Sequence, residues 1–208
     1  MIFYFTKTPF WLKKLYPSCL WNYPSAGGKK IYLSFDDGPH PVATPFVLDQ
    51  LKKFNAKASF FCIGKNVQQE PEIYKQILLE GHRVGNHTFN HLNGWKTDNG
   101  LYLKNVEQAR ELIDSYLFRP PYGRMSAFQI RNMIQKLQYK IVMWDVLSGD
   151  FDPAVDGRQA AERVISCSRP GSIVIFHDST KAFRVLQEAL PLVLAYFSGE
   201  GYSFEMIQ

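Results

Sequence analysis

The sequence predicts an α/β fold: a (β/α) barrel of about seven parallel strands in a single domain. Three observations carry that expectation. The 208 residues are 46% hydrophobic with few low-complexity stretches, enough apolar surface for one large core. From residue 30 onward, short β-branched or aromatic runs alternate with longer amphipathic runs, the signature of βα units around a parallel sheet. Several strand candidates also end in polar or proline-rich motifs. A barrel brings all such ends to one face, whereas an open sheet gathers its site at one switch point.

Ile31 to Phe35 is the first strand candidate, a β-rich run stopped by Asp36-Asp37-Gly38-Pro39. Val47, Leu48, Leu51 and Phe54 then recur at helical spacing. Ala58 to Ile63 is the second strand, followed by Ile73, Ile77 and Leu78 as a helical pattern. His82 to Gly85 and Leu117 to Arg119 bracket a third pattern, Val106, Ala109, Ile113 and Tyr116. A helix over 127–137 leads to a strand over 140–145, and one over 159–167 to a strand over 172–176. The last helix, over 183–197, precedes a strand over 202–207, and its Pro191 predicts a kink or a late start. No domain boundary interrupts residues 30–208, and residues 1–29 read as an N-terminal extension packed on that domain.

Composition excludes several functions. The formal charge of +5 comes from basic residues that never run longer than two, a solvated surface, so no nucleic-acid partner is expected. Cys19, Cys62 and Cys167 are too few and too dispersed for a disulfide framework or a cysteine zinc site. Cys62, inside an apolar run, reads as core, and the odd count suits a reducing compartment. No Gly-rich phosphate loop follows any strand. No segment reaches the roughly 18 to 20 apolar residues that span a bilayer. The apolar start has neither a leading basic region nor a small-residue cleavage site, so a cytoplasmic or membrane-associated location is expected. Phe3 to Tyr23, with Trp11 and Trp21 among lysines, reads either as an interfacial anchor giving peripheral membrane contact or as a segment packed on the domain, the second being preferred.

The residues with chemistry gather at the strand ends. Asp36 and Asp37 would face opposite ways on a strand, but Gly38 and Pro39 break it, and glycine's torsional freedom lets both carboxylates turn inward. One can then bind a cation while the other, ionised beside it, takes a proton from water. A plain Asp-Gly turn is the alternative. His87 and His91, in Asn86-His87-Thr88-Phe89-Asn90-His91, stand at i and i+4, which on a helix is one face. With an Asp they leave open positions on a metal such as zinc, the mark of a catalytic site, while a polar turn is their structural alternative. His40 and His82 have no comparable context.

In Arg119-Pro120-Pro121-Tyr122-Gly123 the prolines remove two amide donors, so the Tyr122 amide stands out as an oxyanion donor. Arg119 can orient the base carboxylate through a bidentate pair, or simply form a buried ion pair beside a polyproline turn. His177 ends the run Ile173 to Phe176 and can protonate a leaving amine, with Asp150 of Trp144 to Phe151 as its partner. Each motif has a structural alternative, but their succession at strand ends points to hydrolytic chemistry.

These motifs resemble, in order and spacing, those of the polysaccharide deacetylases of carbohydrate esterase family four, from about residue 30 to the end. The resemblance implies a distorted (β/α) barrel and hydrolysis of the N-acetyl group of an N-acetylated amino-sugar oligomer or glycan. It implies Asp36 as catalytic base, and Asp37, His87 and His91 as ligands of a divalent metal, zinc first with cobalt or nickel as alternatives. It further implies Arg119 as the residue positioning the base, Tyr122 as oxyanion donor through its amide, and His177 as general acid assisted by Asp150. Two positions depart from the family. Phe151 stands where it usually carries Trp, and Leu147 where it often has Asp, so the groove wall is altered. With no export signal, a lipid-linked amino sugar is a candidate substrate, and deformylation of such a sugar is the runner-up reaction. A silent carbohydrate-binding protein that keeps the metal is the alternative outside enzymes. Intact Asp36 and His177 argue against it, because binding needs neither base nor acid.

Overall fold

The computed structural model describes residues 4–24 and 27–208. In chain order the elements are α1 (Phe10–Leu15), β1 (Lys30–Asp36), α2 (Ala43–Lys53), β2 (Ser59–Cys62), α3 (Gly64–Gln69), α4 (Pro71–Leu79), β3 (Arg83–Asn86), α5 (Asn99–Arg110), β4 (Leu117–Phe118), α6 (Ala127–Gln135), β5 (Lys140–Ile141), β6 (Val146–Leu147), α7 (Gly157–Cys167), β7 (Ile173–His177), α8 (Thr180–Gly199) and β8 (Ser203–Phe204).

Every residue of β1 after Lys30 is buried, the burial expected of a strand covered on both faces. The strands run in the order β5-β4-β3-β2-β1-β7-β6, all pairings parallel, with β8 added at the start of β1. This is the distorted barrel that the sequence predicts. Its core stacks Phe35 of β1 between Phe60 of β2 (5.1 Å between ring centroids) and Phe176 of β7 (6.2 Å). Because neighbouring strands are parallel, their C-terminal ends rise together: Asp36 is the register partner of His177, and Asn86 of Phe118.

The strand expected over 140–145 ends at Ile141, and a second short strand, β6, begins only at Val146. Val142 N–H still bonds Phe118 O of β4 (2.8 Å), while Asp145 N–H already bonds Ile173 O of β7 (3.0 Å), so the chain crosses between them from one edge of the sheet to the other. N-terminal residues fill that seam. Leu20 N–H donates to Ile141 O (2.8 Å) and Met143 N–H to Leu20 O (2.7 Å), while Thr8 N–H donates to Asp145 O (2.9 Å) and Leu147 N–H to Thr6 O (2.8 Å). Backbone groups that a regular barrel would pair between strands are paired here through the N-terminal segment.

Asp145 anchors the segment. Its buried carboxylate accepts from Lys7, Lys13 and Ser172, and although burial opposes it, these donors hold the group below the ordinary carboxylate range. A depressed carboxylate contributes stability that is present above its ordinary value and lost as pH falls through the folded one. Asp145→Ala should therefore free residues before 24 to proteolysis and cost about 1–3 kcal/mol at neutral pH. That is less than a fully buried pair, because the Lys7 side chain is 40% exposed and can turn to water. Unchanged protease protection of the segment would contradict this.

Other expectations are corrected at the element ends. α8 begins at Thr180 and runs through Pro191 without a late start. Val185, Leu186, Ala189, Leu190, Val193, Leu194 and Phe197 bury one continuous stripe across the proline, and that burial outweighs the roughly 3 kcal/mol of a helix-interior proline. α5 stops at Arg110, leaving Ile113 in the core through a turn and Tyr116 exposed. β8 is confined to Ser203–Phe204. The short helices α1 and α3 lie below the length at which periodicity is readable.

Candidate active site

At the end of β1, Asp36 is buried and its Oδ1 accepts from Arg119 Nη1 at 2.6 Å. Arg119 follows β4 and is fully buried: Nη1 also donates to Ser34 Oγ (2.8 Å), Nη2 to Met143 O (3.1 Å) and Nε to Val142 O (3.3 Å), with the guanidinium 4.0 Å from the Phe61 ring. The pair is thus one-point rather than bidentate, because the other donors of the fork are taken by carbonyls of the β5–β6 crossing.

Asp37 turns away through its own backbone, at φ 81°, and Gly38 is not in the left-handed region. The glycine is required for room, not for torsional freedom: a Cβ there would stand 2.1 Å from Asp178 Oδ2. Asp178 accepts from Gly38 N–H (3.1 Å) and from Thr44 Oγ, and its own N–H bonds Asp36 O (3.0 Å), so it clamps the turn from β7. Burial pushes its carboxyl up to about 8. Asn66 of α3 adds a second hold, donating to Asp37 O at 2.7 Å.

His87 and His91 come from the loop after β3, not from one helix face. Thr88 and His91 both adopt positive φ, 64° and 57°, and this fold-back brings the two rings to 5.1 Å. Asn86 and Asn105 hold the loop: Thr88 N–H donates to Asn86 Oδ1 (2.8 Å), and Phe89 and Asn90 N–H to Asn105 Oδ1 (3.0 Å each). His87 Nδ1 lies 2.7 Å from Arg119 O, which can only accept, so the proton sits on Nδ1 and Nε2 presents its lone pair. Burial pushes this imidazole down to about 4, keeping it neutral.

Those lone pairs converge on Asp37. Its Oδ1 lies 3.2 Å from His91 Nε2 and 3.7 Å from His87 Nε2, yet it is buried and accepts no aligned hydrogen bond among the described residues. Burial would raise the Asp37 carboxyl, but the His91 contact and the nearby His177 and His87 hold it well below the carboxylate range. One carboxylate oxygen and two imidazole nitrogens within 4.8 Å of one another, with an orphaned buried oxygen among them, fit a divalent cation with open positions.

Across from Asp36, Asp150 grips His177 twice, accepting from its N–H (2.7 Å) and facing Nδ1 at 2.8 Å. Burial alone would lower the His177 pKa, but Asp150, then Asp37 and Asp36, carry it up to about 9. Such a group is charged at neutral pH and able to donate a proton. The same raised value stabilises the fold below the ordinary histidine pKa and is lost as pH rises through about 9. A cation on Asp37 cancels part of the effect, so the alkaline limb of kcat/KM is expected at or below pH 9. Asp150→Asn should move that limb downward and lower the plateau about 10- to 100-fold, measured as kcat/KM against pH. An unmoved limb would remove His177 as the titrating acid.

Between these groups, Pro120, Pro121 and Tyr122 form a tight turn in which Tyr122 is left-handed (φ 59°, ψ 8°). Gly123 and Arg124 N–H turn back to Pro120 and Pro121 carbonyls, while Tyr122 N–H bonds nothing among the described residues. The Tyr122 ring packs on His91 at 4.7 Å. Phe151 packs edge-on against His177 at 5.3 Å, walling that side of the site. All eight residues singled out in sequence thus meet at one end of the barrel. Ser34, Asn66 and Asp178 were missed. Asp178 had a signal, its place directly after His177, but Ser34 and Asn66 had none, because their partners lie far away in sequence.

The family model for polysaccharide deacetylase matches residues 24–142. The chain belongs to the polysaccharide deacetylase family. It is 33% identical over 190 residues to a peptidoglycan-N-acetylglucosamine deacetylase of Bacillus cereus, covering 88% of each chain. A chitooligosaccharide deacetylase of Azorhizobium caulinodans is 35% identical over 156 residues, covering 71% of this chain and 73% of that one. The crystal structure of a peptidoglycan N-acetylglucosamine deacetylase superposes with a TM-score of 0.87 at 29% identity, covering 96% and 95% of the two chains.

Proposed function

We propose that this family member hydrolyses the N-acetyl group of an amino sugar in an N-acetylated glycan, releasing acetate and the free amine, with zinc as its cation. One observation carries the reading: the register pairing that sets Asp36 and His177 side by side on β1 and β7, the first held by Arg119 and the second by Asp150. A cation held by Asp37, His87 and His91 would polarise substrate oxygens and acidify water. Asp36 accepts the proton of the attacking water, held in position by the Arg119 guanidinium on its other side. Tyr122 N–H meets the oxygen on which charge develops, a contact of a kind worth about 3 kcal/mol. As the carbon–nitrogen bond breaks, His177 gives its proton to the sugar amine, and Asp150 holds the ring in place for that transfer.

Acetate release from N-acetylglucosamine oligomers by metal-stripped protein, with and without added zinc or cobalt, tests this. Release restored by the metal is expected. Stoichiometric metal binding with no release from any oligomer would overturn it. A competition between acetylated and formylated sugars separates deacetylation from deformylation, with faster formate release counting against the acetyl reading.

A further inference from the structure

A cavity of about 340 Å³ lies between the N-terminal segment and the active-site loops, within the size range of ligand pockets. Leu12 and Trp21 line it from the N-terminal segment, Ile130 from α6, Met143 from the crossing between β5 and β6, Leu147 from β6 and Tyr122 from the turn after β4. Two contacts join it to the chemistry. Tyr122 lines the cavity and touches His91, while Tyr4, also in the wall, packs at 5.1 Å on Phe151, which packs on His177.

The wall does not suit another sugar. Among the described residues its only charged one, Arg124, lays its guanidinium over the Trp95 ring at 5.1 Å, and Leu147 stands apolar where a carboxylate could have bound hydroxyls. A sugar buried there would find few polar partners for its hydroxyls beside those of Tyr4, Thr8 and Tyr16, whereas a hydrocarbon chain gains with every methylene it buries against the apolar wall. Just outside, α1 exposes Phe10 (72%), Trp11 (52%) and Leu15 (63%), with Lys14 over Phe10 at 5.7 Å, the aromatic and basic face of an interfacial helix. Among the described residues no helix is long and apolar enough to cross a membrane.

We propose that the cavity receives a hydrocarbon chain attached glycosidically to the amino sugar, making a lipid-linked amino sugar the substrate class of this site. The inference rests on the deacetylase reading. Methyl, butyl and octyl β-glycosides of N-acetylglucosamine, kept below micelle-forming concentrations, test it. The octyl glycoside is expected to exceed the methyl glycoside at least tenfold in kcat/KM, mainly through KM. The double variant Leu12→Phe/Ile130→Phe, which fills the cavity, should erase that gain and leave the methyl glycoside unchanged. Leu147→Asp, which charges the wall, should erase the gain as well. Equal rates for the glycosides in the wild type, or a gain that survives both variants, overturns the proposal. A gain that follows the N-acyl chain in N-octanoylglucosamine instead overturns it too, since the cavity would then hold the scissile acyl group. Quenching of tryptophan fluorescence by octyl glucoside, which has no acyl group, gives a readout independent of turnover. Saturable quenching lost in the double variant supports the cavity even if no sugar is deacetylated, and its absence from the wild type counts against it.

Discussion

Asp36→Asn is expected to lower acetate release by about 10³- to 10⁴-fold while leaving bound metal in place. The upper part of the range for general-base catalysis applies because no other carboxylate in the site is free to replace it. Asp37 is committed to the imidazoles, Asp150 to His177, and Asp178 to Gly38 and Thr44. The substitution also bears on stability. Arg119 is fully buried, and removing the charge opposite a buried cation costs about 3–5 kcal/mol at most. The Asn carbonyl can still accept from Nη1, and Ser34 Oγ and the carbonyls of Val142 and Met143 still accept from the guanidinium, so a loss of about 1–3 kcal/mol is the expectation. Steady-state rates, metal content and thermal unfolding on one preparation separate the effects. Activity within tenfold of wild type in folded, metal-loaded Asp36→Asn protein would remove Asp36 as the base.

His87→Ala is expected to abolish both cation binding and activity. Loss of an outer partner of a metal ligand typically weakens affinity about 10- to 100-fold, and loss of the ligand itself should exceed that. Only Asp37 and the half-exposed His91 remain to hold the ion, and Arg119 O is left without its imidazole donor. The loop itself should persist, because Asn86 and Asn105 hold its backbone independently of the ring. Calorimetric zinc titration reads the affinity, and circular dichroism of the metal-free protein reads the fold. Zinc binding by His87→Ala as tight as by wild type would mean that Asp37, His87 and His91 are not the ligand set.

The strands, their order of appearance and the eight chemistry-bearing residues were legible in the chain because each depends on local pattern. Apolar runs near Ile31, Ala58 and Ile173 are intrinsic strand formers, and the polar motifs directly after them are carried to the barrel end by whatever places the strands. Local reasoning misassigned causes even where the fold brings its residues together. It gave Gly38 a torsional role that Asp37 performs, and it placed His87 and His91 at a strand end without the left-handed fold-back, at Thr88 and His91, that brings their rings together. The approach of Asp178 to Gly38 and the carbonyl of Arg119 that sets the His87 tautomer are contacts between distant parts of the chain.

By itself, then, the sequence determined the βα architecture, the family and the set of polar residues that the fold gathers at one end of the barrel. Tertiary structure alone decided that one expected strand stops short at the seam, that the N-terminal segment seals it around Asp145, and that an apolar cavity forms beside Tyr122. The physical reason is range. Strand propensity and motif spacing act over a few residues and survive in one dimension. The pairing of orphaned backbone groups, and the space left between packed side chains, exist only once residues far apart in sequence have met.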